Sequence, residues 1–74
     1  MAHEKSSDKL IYMANQIGKF FASQGKNEAV AGTAMHLKKF WDPHMRATIV
    51  AHLDSTGGTG LEPHVLEAVR QIRD

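Results

Sequence analysis

Five histidines stand in a chain of 74 residues, and imidazole serves chemistry both as a metal ligand and as a general base. His36, His44, His52 and His64 are separated by eight, eight and twelve positions. Ligands on one helix need a spacing of three or four to share a face, and neither cysteine nor a suitably placed carboxylate completes a set. These histidines therefore read as surface or boundary residues, and no metal site is expected. The run Gly57-Gly58-Thr59-Gly60 would cradle a phosphate only if it followed a strand and led into Lys-Ser or Lys-Thr at a helix start. It does neither and reads as a flexible linker. Ser6, Ser7, Ser23 and Ser55 have no base at local spacing, which leaves nucleophilic catalysis without a pair. No catalytic and no cofactor-binding residue is assigned.

The remaining unusual residues suggest contact rather than catalysis. On a helix that carries Met45, Ile49, Val50 and Leu53, Arg46 falls in the middle of the apolar face. Its stem can pack on the core while its head reaches solvent, pairs with Asp42 or stacks on Trp41. Alternatively, Trp41, Asp42 and Arg46 form the edge of a docking surface, because Trp and Arg are enriched at interface hot spots. A second candidate is the stripe Ile11, Asn15, Gly18 and Ala22, whose small residues admit a close helix, either within the bundle or from a partner.

Four helices must position these residues. Leu10, Met13, Ala14, Ile17, Phe20 and Phe21 recur at amphipathic spacing and predict a first helix over 8–24, with Ser7 as its N-cap and Gly25 as a left-handed stop. Asn27 caps a second helix, whose face is Val30, Thr33, Ala34, Leu37, Phe40 and Trp41, with Gly32 and Lys39 opposite. Pro43 ends that helix near Trp41 or Asp42. The same Asp42-Pro43 pair supplies an N-cap and a first residue for a third helix, which gives out near Asp54. Pro63 opens a fourth helix, faced by Val65, Leu66, Val69 and Ile72, with Leu61 just ahead. The expected fold is all-α: a compact bundle of four short helices with a sharp Asp-Pro corner between the second and third. Residues 1–7 are expected to be a flexible N-terminus and 8–74 a single helical domain.

Composition narrows the function classes. A chain this short hides only about 60% of its unfolded surface, and without cysteine it gains nothing from disulfides. A partner or a second copy is the expected supplement. Nine Lys and Arg against eight Asp and Glu give a formal charge of +1, so no net field draws it to nucleic acid or membrane. A helix-turn-helix reading fails on its third helix, where Ala47, Thr48 and Ala51 are poor material for base edges. A small DNA-binding regulator and a self-associating helical module remain the alternative classes. A polar start and the lack of a stretch near 20 apolar residues argue for a cytoplasmic protein without a membrane span.

The segments 9–17 with Phe20-Phe21, then 36–46 with its Phe40-Trp41-Asp42-Pro43-His44-Met45-Arg46 string, and Gly60-Leu61-Glu62-Pro63 followed by Val65 and Ala68, resemble the delta subunit of soluble NAD-dependent formate dehydrogenases. That resemblance implies a non-catalytic small subunit that binds the large catalytic alpha subunit and supports assembly or an active quaternary state. It also implies that companion subunits carry a molybdenum or tungsten pterin, iron–sulfur clusters, FMN and the NAD site, and that this chain binds none of them. The absence of cysteine for cluster ligation agrees independently.

Overall fold

Apolar periodicity becomes four helices in a computed structural model, which describes the backbone of residues 2–73 and the side chains of residues 7–73. The helices are α1, Ala2–Ala22; α2, Lys26–Phe40; α3, Pro43–Thr56; and α4, Pro63–Arg73. No strand occurs among the described residues. The radius of gyration, 11.2 Å, equals the roughly 11 Å expected of a compact domain of this length.

The core draws on all four helices. Ala14 of α1, Leu37 of α2, Ile49 and Leu53 of α3, and Val65 and Val69 of α4 are buried together with Trp41. Leu10, Ile11, Met13, Ile17, Met45, Val50, Leu61, Leu66 and Ile72 pack around them. Thr33 is the buried polar residue among the described ones, and its hydroxyl donates to the Ala29 carbonyl at 2.6 Å. That bond satisfies a group whose burial would otherwise cost about 1–3 kcal/mol.

Two aromatics expected in this core lie outside it. Phe20 is 61% and Phe40 66% exposed, because each sits at the margin of its helix's apolar stripe, beyond the reach of the opposing helices. Conversely, Gly32, expected on the outer side of α2, faces α1: a Cβ there would overlap Phe21 Cδ1 and stand 2.8 Å from Cγ. Ala29 and Ala68 also belong to the buried set.

Helix boundaries differ at four points. α1 starts at Ala2, so Ser7 lies inside it rather than capping it. The expectation of a flexible segment over 1–7 falls largely on side chains outside the described residues. Gly25 does not stop α1 in the left-handed helical conformation; at φ 133°, ψ 158° it is the N-cap of α2, which puts Asn27 within that helix. Only glycine takes such an angle without steric cost. α3 continues past Asp54 to Thr56, where Gly57 at φ 78° closes it by donating its N–H to the Leu53 carbonyl.

Between α2 and α3, Trp41 adopts extended geometry. Asp42 Oδ1 accepts the Met45 N–H at 2.8 Å, with Pro43 in the first turn. One dipeptide thus closes one helix and opens the next, as its chemistry predicts.

Candidate functional site

Each residue singled out from the sequence has a definite place in the bundle. Trp41 is 5% exposed and belongs to the core, so its ring offers a partner little surface. The Asp42 carboxylate caps α3. Arg46 is half-buried, and its Nη1 donates to the Lys38 carbonyl at 3.1 Å. It therefore ties α3 to the last turn of α2, where a cation also complements the partial negative charge of the helix end. Among the described residues it forms no ion pair with Asp42.

Along Ile11, Asn15 and Gly18 the stripe on α1 is met by the chain itself. Asn15 Nδ2 donates to the Gly60 carbonyl at 2.9 Å, and its Oδ1 accepts the Glu62 N–H at 3.0 Å. A Cβ on Gly18 would overlap Val65 Cγ2 and stand 2.9 Å from His64 Nε2, so α4 crosses α1 at this glycine. Ile11 packs on the core and approaches Gly60. Ala22, at the end of the stripe, is exposed.

The glycine-rich run proves tethered rather than loose. Thr56 Oγ1 donates to the His52 carbonyl at 2.9 Å and accepts the Gly58 and Thr59 N–H groups, each at 3.1 Å. His52 Nε2 lies 2.6 Å from the Thr59 carbonyl; since that oxygen only accepts, the proton of this bond is on Nε2. Gly58 is buried with φ 91°, and a Cβ there would overlap Leu66 Cδ1. The tether is partly local, through Thr56 and His52, and partly distant, since Asn15 reaches Gly60 across 45 positions, a bond that spacing does not reveal.

His36 and His52 are half-buried, His44 is exposed, and His64 is half-buried with its Nε2 unpaired against Gly18. Among the described residues no three His, Asp or Glu side chains form a metal-ligating group. No described helix is long and apolar enough to cross a membrane.

What the surface does present is a run of aromatic and apolar side chains across α1 and α2. The Phe20 and Phe21 rings meet edge to face with centroids 5.1 Å apart, Phe21 and His36 at 6.1 Å, and His36 and Phe40 at 4.7 Å. Met35, 66% exposed, lies beside them. Phe21, Met35, His36 and Phe40 line a shallow depression with Glu28 and Lys39, and a second depression runs between Ile17, Phe20, Phe21 and His36. Spacing alone assigns Phe20, Phe21 and Phe40 to the core and so does not reveal this patch. The useful signal was an apolar stripe wider than so small a bundle can cover.

The molecule is a four-helix, all-α bundle in which Asn15, Asp42, Arg46 and Thr56 bond within the chain while an aromatic face across α1 and α2 is uncovered. Residues 9–69 match the family described as NADH-dependant formate dehydrogenase delta subunit FdsD, and the chain belongs to that family. No curated protein and no solved structure matches it.

Proposed function

We propose that this chain is a non-catalytic accessory subunit of a cytoplasmic NAD-dependent formate dehydrogenase, which binds the large catalytic subunit and supports assembly or the active quaternary state. The observation that carries this reading is the family match over 9–69. The uncovered patch of Phe20, Met35 and Phe40 supports it, because monomeric proteins seldom leave contiguous apolar surface to water without a use for it.

In this reading the pterin metal, iron–sulfur clusters, FMN and NAD site reside in companion subunits. The donors of this chain do not fit an iron–sulfur cluster, since it has no cysteine. Its contribution is mechanical: a pre-formed helical surface that a larger subunit covers.

Deleting the chain from cells that express the other subunits tests the role. Formate-dependent NADH production and the yield of assembled complex should both fall, and be restored by supplying the chain. Full yield and activity without it would overturn the reading, as would formate-dependent NADH production by the purified chain alone.

A further inference from the structure

The outer face of α2 carries a polar order as well as an apolar centre. Glu28, Ala31, Met35 and Lys39 succeed one another at helical spacing and line the same depression, with Phe21, His36 and Phe40 along the side toward α1. Glu28 lies in the first turn of α2 and Lys39 in the last. At 1.5 Å per residue they are about 16 Å apart, or three helical turns. Among the described residues neither carries an ion-pair partner, and Lys39 Nζ stands 6.0 Å from the Phe40 ring centroid.

The floor of this face is built by Gly32. Without a side chain there, the Phe21 ring lies across α2 in the space a Cβ would take. The result is a continuous apolar seat between an anionic and a cationic end. Such a seat suits an amphipathic helix, whose anchors at i, i+4 and i+7 fill the centre and whose end charges set its direction.

We infer that this face holds an amphipathic helix of a companion formate dehydrogenase subunit. That helix is about three turns long, acidic where it meets Lys39 and basic where it meets Glu28. The inference rests on the accessory-subunit reading above. A second copy of this chain, laid antiparallel, would satisfy the same charge order. The heteromeric occupant is chosen because the family is one of subunits of a larger enzyme.

The test uses the chain co-expressed with the other formate dehydrogenase subunits and captured through a tag on this chain. Met35→Glu and Phe40→Glu each place a charge on a residue 66% exposed, so circular dichroism should show an unchanged fold. Each should weaken retention of the companion subunit by about 30-fold, as loss of a hot-spot residue does. A benzophenone amino acid at position 35 should cross-link to a companion segment with apolar residues at i, i+4 and i+7 and carboxylates at one end. Lys39→Glu should weaken capture, and a carboxylate-to-lysine change in the cross-linked segment should restore it.

Equal retention of wild type, Met35→Glu and Phe40→Glu would overturn the docking face while leaving the subunit role standing. Cross-linking only to a second copy of this chain would reassign the face to self-association and overturn the inference. Failure of the companion subunits to retain even the wild-type chain would overturn both the inference and the role it rests on.

Discussion

Replacing Asn15 with alanine removes both hydrogen bonds that hold the 57–62 segment against α1, the donation to Gly60 O at 2.9 Å and the acceptance from Glu62 N at 3.0 Å. Each such bond contributes a net 0.5–1.5 kcal/mol or so, and both lie where water can replace them in part, which puts the combined loss at about 1–2 kcal/mol. In a domain of this size each kcal/mol moves Tm by about 4–8 °C, so a fall on the order of 5–15 °C is expected. Amide hydrogen exchange should show faster exchange at Glu62. Asn15→Asp sharpens the test: it keeps an acceptor for the Glu62 N–H but sets a carboxylate oxygen against the Gly60 carbonyl. It should therefore be no more stable than the alanine variant at neutral pH. A Tm unchanged in Asn15→Ala, with Glu62 exchanging as in wild type, would refute the tethering.

Other substitutions probe the remaining joints. Gly18→Ala gains roughly 1 kcal/mol of helix propensity but drives a Cβ into buried Val65, where overpacking costs about 1–3 kcal/mol, so thermal melting should show net loss rather than gain. Gly32→Ala meets the half-buried Phe21 ring, which can swing outward, so its melting temperature should fall less. Asp42→Ala removes the α3 cap and should cost about 1 kcal/mol, read as a fall of several degrees in Tm. Arg46→Met deletes the bond to the Lys38 carbonyl and should destabilise by about 1 kcal/mol. Pull-down should nevertheless show companion capture intact; lost capture by a folded Arg46→Met chain would restore the Asp42–Arg46 edge as a docking surface.

Legibility in the sequence followed the range of the interactions. The helix interiors are readable because Leu37, Ile49, Val65 and Val69 each fall on the apolar stripe of their own helix, and all four are fully buried. The α2–α3 junction was readable because Asp42 and Pro43 act on their immediate neighbours. The ends of α1 and α2 were harder, since a glycine with positive φ can close one helix or open the next, and only the surrounding chain decides for Gly25. Periodicity shows the centre of an apolar stripe but not how much of its width other helices cover. Phe20 and Phe40 were accordingly placed inside, though they lie outside. The stripe of Ile11, Asn15 and Gly18 was legible as a contact surface, but its occupant was not, because Asn15 bonds Gly60 across 45 positions. Arg46 was visible as an anomaly on an apolar face, yet its acceptor is a backbone carbonyl on another helix, which no side-chain pattern reveals.

Membership of a heteromeric formate dehydrogenase is the claim on which the functional account stands. Native mass spectrometry of the complex captured through a tag on this chain tests it most directly. The chain should be retained with the large catalytic subunit in a fixed ratio, in an assembly that reduces NAD with formate. Recovery of the chain alone or only as a homo-oligomer, from cells in which the other subunits assemble into active enzyme without it, would contradict the account.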